Sequence, residues 1–221
     1  MEKAVKKKAT KASLSAAAIM KAYKKHLLTE GSQPKSVFVF MEHLNEEEEE
    51  FYKYFSSFEA IDAELWKSFA ERTIKAIKSD KAYNGYSARE KMLAFLFTLV
   101  EVLKKDRSYV KLTFKRPDKP ELVPAWLRDF KKEFDAFSME VIEEGIGSEE
   151  IVKRPILSER YHDGLWLQIL FIISFWLKDT SKGFERTDAA IEKSANLSFE
   201  LMGRGPLDLM LDFGKFLYQN R

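Results

Sequence analysis

Residues that form tight turns are scarce in this chain, which has nine glycines and six prolines among 221 residues. A fold made mostly of strands needs a turn signal about every 8–12 residues. Alanine, leucine, glutamate and lysine are plentiful instead, and these are strong helix formers. The 45% hydrophobic content is enough for a sizeable core. The sequence therefore predicts an all-α fold, built as one large domain or two smaller ones.

Local signals place about ten helices along the chain. Apolar residues recur at intervals of three and four, as in the stripe 61–77. Asn45 is a suitable helix cap, and Ser56 with Glu59 and Ser87 with Glu90 form capping-box patterns. Residues 107–115 alternate like a strand, but a single strand has no pairing partner, so a short helix is predicted there. The predicted helices cover 13–29, 34–41, 46–55, 56–80, 87–104, 107–115, 124–145, 158–178, 184–201 and 206–219.

Several kinds of chemistry are excluded by the residues that are missing. The chain has no cysteine, so it has no disulfide, thiol nucleophile or zinc knuckle, and a cytoplasmic location is predicted. Glu159 and His162 are the only Glu-x-x-His pair, whereas a di-iron bundle needs two such pairs. No phosphate-binding loop or nucleophile elbow occurs. The sequence predicts no catalytic residue, no metal and no cofactor.

The most hydrophobic run, Leu165–Leu177, has 13 residues and is too short for the ~20 that span a bilayer. We therefore predict no transmembrane segment and a buried core helix. Residues 1–12 hold five lysines and one glutamate. This basic segment is predicted to be a flexible arm, which either keeps the chain soluble, as most basic tails do, or contacts phosphates.

The helix order near the N-terminus is that of a helix-turn-helix: a support helix, a short positioning helix, a turn and a further helix. From Ala22 to Ile61 the chain resembles the N-terminal domain of TetR-family transcriptional regulators, without a gap. The resemblance is carried by Leu27, Gly31, Lys35-Ser36-Val37, Phe40-Met41, Asn45 at the turn, Phe51-Tyr52-Lys53-Tyr54-Phe55 and Ser57-Phe58-Glu59-Ala60-Ile61.

The resemblance implies a DNA-binding head over residues 13–80 and a ligand-binding and dimerisation domain over residues 81–221. It also implies a homodimer formed through helices near the C-terminus. By position in the motif, the DNA-contact candidates are Lys35, Ser36, Tyr52, Lys53 and Tyr54.

One segment departs from the TetR pattern. Where family members present Ser, Lys, Gly and Thr to DNA, this chain has an acidic run made of Glu46, Glu47, Glu48, Glu49 and Glu50, with Glu42 beside it. Neutralisation of DNA phosphates by positive side chains supplies much of the affinity of a protein for DNA. The carboxylates of this helix are instead repelled by the phosphates. The sequence therefore predicts weak or absent binding to double-stranded DNA near physiological salt.

Aromatic residues on the predicted apolar faces of the larger domain form either an ordinary core or the lining of a pocket. The resemblance to the TetR family implies a pocket for an apolar small molecule or lipid. The pocket candidates are Phe95, Trp126, Phe130, Phe134, Trp166 and Phe171, and the dimer-interface candidates are Leu165, Leu167, Ile172, Phe175 and Trp176.

Two functions stay open at this point. The first is a ligand-responsive TetR-like transcriptional regulator that binds DNA as a dimer. The second is a TetR-fold protein that does not bind DNA. Such a protein would present a lipid or isoprenoid as an accessory factor, or dock a protein partner through its acidic helix.

Overall fold

A computed structural model of the protein describes residues 14–114, 123–155 and 157–220. The predicted basic arm, residues 1–12, lies outside the described residues. The described parts of the chain contain helices and no strand, which confirms the all-α prediction. The ten α-helices are α1 (Ala16–Glu30), α2 (Val37–His43), α3 (Glu48–Tyr52), α4 (Phe58–Lys78), α5 (Ala88–Lys104), α6 (Arg107–Thr113), α7 (Arg128–Gly147), α8 (Tyr161–Lys178), α9 (Glu185–Met202) and α10 (Pro206–Gln219).

The chain divides into two compact units, residues 1–61 and 62–221. The division falls inside α4, whereas the sequence-based prediction assigned residues up to 80 to the head. No helix in the described ranges is long and apolar enough to cross a membrane.

Aromatic side chains form the core of the smaller unit. The ring of Phe58 stacks on Tyr23 at 5.4 Å between centroids and meets Phe40 edge-on at 5.5 Å. Phe51, at the end of α3, meets the same Phe58 ring at 5.6 Å. Because these rings come from α1, α2, α3 and α4, their burial holds the four segments together.

In the larger unit, α5, α7, α8 and α9 pack against one another around an apolar core. A hydrogen-bonded group joins α8 to α9, since Gln168 donates to Ser194 at 2.9 Å and accepts from Ser198 at 3.2 Å. Residues 107–113 are helical, as predicted, and the capping box of Ser87 and Glu90 is present at the start of α5.

Two predicted helix caps are wrong by a few residues. The helix expected from Glu46 begins at Glu48, and Asn45 does not cap it but adopts a left-handed backbone with a φ of 55°. The fourth helix is capped by Ser57 rather than Ser56, because the Ser57 hydroxyl accepts from the amide of Ala60 at 3.3 Å. Adjacent serines offer the same side chain, so the pattern cannot choose between them.

Candidate functional site

The smaller unit contains a helix-turn-helix formed by α2 and α3. The turn is closed by the amide of Asn45, which donates to the Glu42 carbonyl at 3.0 Å, and by the amide of Glu46, which donates to the Met41 carbonyl at 3.1 Å. The left-handed backbone of Asn45 lets the chain reverse direction, and asparagine tolerates this conformation better than most residues. Asparagine thus stands where the resembling family has a glycine.

The structure places the five DNA-contact candidates at two ends of this motif. Lys35 is exposed just before α2, and the Ser36 hydroxyl accepts from the amide of Val39 at 3.2 Å, which caps that helix. Tyr54 follows α3 and donates its hydroxyl to the Leu14 carbonyl at 3.0 Å. Ser36 and Tyr54 therefore already have structural hydrogen bonds.

The two remaining candidates, Tyr52 and Lys53, are engaged by the acidic run itself. The Tyr52 hydroxyl donates to Glu48 at 3.1 Å, and this hydrogen bond raises the pKa of Tyr52. The Lys53 ammonium forms an ion pair with Glu50, and the hydrogen bond in that pair raises the pKa of Lys53. The side chains of both of these DNA-contact candidates are thus oriented toward carboxylates.

The carboxylates of the acidic run surround the start of α3. Glu47 and Glu49 are exposed, while Glu46, Glu48 and Glu50 are half-buried. A shallow groove of about 320 Å³ lies beside them and is lined by Phe38, Glu42, Asn45, Glu46, Glu47 and Glu48. Carboxylates in the first turn of a helix are favoured by its dipole, which accounts for their local stability.

Positive groups occupy a different groove of the same unit, between α1 and α2. This groove has a volume of about 600 Å³. Its ionisable lining side chains are Lys25, His26, Glu30, Lys35 and His43. In the described part of the smaller unit, two lysines therefore lie in this groove and the run of carboxylates lies apart from them, on α3.

Five of the six pocket candidates belong to one aromatic cluster in the larger unit. Trp166 contacts Phe130 and Phe134 at ring distances of 5.8 and 6.2 Å, and Phe134 contacts Phe95 at 5.2 Å. Trp126 joins the cluster through Trp66, which lies 5.0 Å from Trp126 and 6.0 Å from Phe130.

The sixth pocket candidate, Phe171, lies apart from this cluster. Its side chain is 48% exposed on α8 and meets Phe175 at 5.8 Å. The sequence reasoning also missed Trp66, the fully buried ring that links Trp126 to the other aromatic residues. Trp66 lies on a helical stripe with Phe69, Thr73 and Ile77, and this stripe was the available signal.

Polar groups line one side of the aromatic cluster. The Tyr109 hydroxyl donates to Asp62 at 2.6 Å, and the Trp66 indole donates to the Thr113 hydroxyl at 3.2 Å. These bonds join α4 to α6 within the larger unit. In the part of the chain that the structure describes, no group of three or more potential metal ligands occurs.

The five dimer-interface candidates divide into two sets. Leu165, Ile172 and Trp176 are buried within the chain itself, so their side chains fill its own core. Leu167 is 49% exposed and Phe175 is half-buried. The outward apolar surface of α8 and α9, called the α8–α9 face below, consists of Leu167, Phe171, Phe175, Leu197 and Leu201.

Comparison with known proteins identifies the family. Residues 91–217 match the family model described as the tetracyclin repressor-like, C-terminal domain. The chain therefore belongs to the tetracyclin repressor-like (TetR) family. A search of curated proteins finds no match to the sequence.

Solved structures share the fold. A TetR-family transcription regulator from Shewanella sp. PV-4 superposes with a TM-score of 0.58 at 14% identity, over 85% of this chain and 97% of that one. A bacterial regulatory protein in the TetR family from Rhodococcus RHA1 superposes with a TM-score of 0.53 at 14% identity, over 88% of this chain and 100% of that one. At this identity the likeness shows the TetR regulator fold.

Proposed function

We propose that the protein is a ligand-responsive transcriptional regulator that works as a homodimer. The observation that carries the proposal is the helix-turn-helix of α2 and α3, with its turn at Asn45, on the same chain as a tetracyclin repressor-like C-terminal domain. The division into a head over residues 13–80 and a ligand-binding and dimerisation domain over residues 81–221 is part of the proposal. So is a cytoplasmic location, and no catalytic activity is assigned.

The DNA-binding step differs from the family pattern in its electrostatics. Six carboxylates on and beside α3 oppose approach to phosphates, and Lys53 is already paired with one of them. The lysines proposed to attract the phosphates are Lys25 and Lys35, which line one groove, together with those of residues 1–12. We expect binding that is measurable at low salt and weak near physiological salt, because the free energy gained by releasing counterions from the phosphates decreases as salt rises.

The aromatic cluster is the proposed ligand site. Its rings are apolar, and the Tyr109–Asp62 and Trp66–Thr113 hydrogen bonds place a few polar groups beside them. Such a lining suits an apolar or aromatic small molecule with a small polar end. Trp126 is half-buried, whereas Phe95, Phe130 and Phe134 are fully buried, so the Trp126 end is the proposed entrance.

The α8–α9 face supports the homodimer. Its exposed leucines and phenylalanines lie on two helices that pack against each other, and clustered exposed apolar side chains mark protein interfaces. A two-fold pair would cover the same face on both subunits.

A gel-shift titration of the DNA upstream of the protein's own gene tests the regulator proposal. We expect retardation at about 50 mM salt, with a loss of affinity as salt rises toward ~150 mM. A duplex of unrelated sequence serves as the control for specificity. Absence of any retardation at low salt would contradict the assignment as a DNA-binding regulator.

A further inference from the structure

The groove beside the start of α3, called the acidic groove below, combines an exposed aromatic ring with carboxylates. Phe38 is 58% exposed in its wall, and Glu42, Glu47 and Glu48 lie around it. The face of an aromatic ring attracts an ammonium group. The apolar stem of a lysine can pack on such a ring while its ammonium reaches the carboxylates. The lining of the acidic groove therefore suits a lysine side chain.

Three carboxylates in and beside the acidic groove are available to a cation. Glu50 is already paired with Lys53. Glu42, Glu47 and Glu49 are exposed, and none of them forms an ion pair with a residue that the structure describes. The side chain of Glu47, at the residue before α3, also makes no capping hydrogen bond to the helix. Binding of a lysine to these side chains would therefore break no ion pair or capping bond.

The described part of the chain begins next to α3. The Leu14 carbonyl accepts a hydrogen bond at 3.0 Å from the hydroxyl of Tyr54, which follows the end of α3 by two residues. At 1.5 Å per residue, the five residues of α3 are ~8 Å long. An extended chain covers ~3.3 Å per residue, so the step from Leu14 back to Lys11 spans ~10 Å. Lys11 and the lysines before it are therefore within reach of the carboxylates of α3.

Residues 1–12 have the charge opposite to that of the acidic run. They hold five lysines and one glutamate, whereas the acidic run consists of five glutamates. A short tether also keeps the two charged segments together, at an effective concentration in the millimolar range (~1 mM). Even a contact of low intrinsic affinity is well populated at such a concentration. A basic segment of a separate protein has no such advantage.

We propose that residues 1–12 dock on the acidic groove of their own chain, with lysine side chains against Phe38, Glu42 and Glu47. The docked segment neutralises carboxylates of α3 and covers part of the surface that a helix-turn-helix presents to DNA. DNA phosphates and the acidic groove then compete for the same lysines. The contact forms without DNA, so its test does not depend on the regulator proposal.

The test attaches a nitroxide label to residues 1–12 of the full chain and measures the NMR signals of α3. Because the chain has no cysteine, Ala4→Cys provides a single thiol for the label. At about 50 mM salt, docking should reduce the amide signals of residues 47–52 at least twofold relative to the same sample with the label reduced. The loss of signal should become smaller as salt rises, because ions screen the attraction.

Two charge variants of the labelled chain show whether the acidic groove is the docking site. Glu42→Gln/Glu47→Gln removes two of its carboxylates, and Glu185→Gln/Glu192→Gln makes the same change at exposed positions of α9. We expect the groove variant to recover at least half of the lost signal and the α9 variant to recover none. Undiminished α3 signals in the labelled wild-type chain, or equal effects of the two variants, would overturn the proposal.

A mixed sample separates docking within one chain from docking between chains. It contains spin-labelled chains without ¹⁵N together with ¹⁵N chains without the label. The proposal predicts unchanged α3 signals in this sample. A loss of signal as large as in the chain that carries both labels would place residues 1–12 on a second copy and overturn docking on their own chain.

A second measurement uses the unlabelled wild-type protein. A water-soluble carbodiimide joins a lysine amine to a carboxylate that it contacts, and peptide mapping by mass spectrometry identifies the joined residues. In the fraction with the mass of a single chain, the lysines of residues 1–12 should be joined to Glu42 and Glu47. Joining to Glu185 and Glu192 with equal yield would contradict docking on the acidic groove.

Discussion

Replacement of the buried residue Arg154 tests how strongly its hydrogen bonds stabilise the larger unit. Arg154 is 5% exposed, and its guanidinium makes six hydrogen-bonding contacts, to both Asp208 carboxylate oxygens, the Tyr161 hydroxyl and the carbonyls of Leu201, Met202 and Gly203. The hydrogen bonds from Arg154 are also the main reason that the pKa of Asp208 is lowered to about 2. Replacing Arg154 with methionine keeps an unbranched side chain and removes all of these bonds.

The expected loss of stability follows from the Asp208 carboxylate, which the substitution leaves without its partner. Breaking a buried ion pair by removing one partner costs about 3–5 kcal/mol. Asp208 is 38% exposed and regains water, so the lower end of this range applies. For a protein of this size, ~3 kcal/mol corresponds to a decrease in melting temperature of roughly 6–12 °C.

All four tryptophans lie in the larger unit, so tryptophan fluorescence follows the unfolding of that unit. The matched control is Arg160→Met, since Arg160 is 74% exposed and has one ion pair, with Asp163 at 3.3 Å. That variant should change stability by less than ~0.5 kcal/mol. If Arg154→Met lowers the melting temperature no more than Arg160→Met, the role assigned to Arg154 is wrong.

Two further predictions concern acid stability and ligand binding. Burial opposes the ionisation of Asp179, but hydrogen bonds from Ser181 and Thr187 outweigh it and hold the pKa of Asp179 below its usual range. Its stabilisation is therefore present above about pH 4 and is lost as the pH falls through the lowered pKa. In a thermal melt series, the deficit of Asp179→Asn should be largest at neutral pH and shrink in acid, and a deficit independent of pH would contradict this cause. Apolar aromatic ligands should quench tryptophan fluorescence and stabilise the protein by about 2.7 kcal/mol at 100 times their Kd. Phe130→Ala should abolish both effects and Phe175→Ala neither, whereas equal losses would place the ligand elsewhere.

Helix existence and order could be predicted because apolar periodicity and capping patterns are local properties. The burial of particular residues could not, since it depends on which neighbours a helix meets. In α4, the predicted apolar stripe included Leu65 and Ile74, but these are half-buried, and the buried positions include Thr73 and Asp62. The Thr73 hydroxyl donates to the Phe69 carbonyl, and the Asp62 carboxylate accepts from the Tyr109 hydroxyl. No sequence pattern reveals these hydrogen bonds.

The dependence of burial on neighbouring helices also explains why the dimer-interface candidates divide into buried and exposed residues. The run Leu165–Leu177 is apolar around most of its helix, so its sequence cannot separate side chains that fill the subunit core from those that face a partner. The structure shows Ile172 buried and Leu167 exposed because α8 packs against α5, α7 and α9 on one side. The acidic run, by contrast, could be located from sequence alone, although its engagement of Tyr52 and Lys53 required coordinates.

The most direct test of the central claim is a DNA-binding titration by fluorescence anisotropy at about 150 mM salt. The wild-type protein is compared with Glu47→Ser/Glu48→Lys/Glu50→Thr, which removes three carboxylates and releases Lys53 and Tyr52. The account predicts no submicromolar binding to any duplex by the wild-type protein, and binding by the variant that decreases steeply with added salt. Submicromolar binding of wild-type protein to one specific duplex, or a variant that binds no better, would contradict the claim that the acidic run weakens DNA binding.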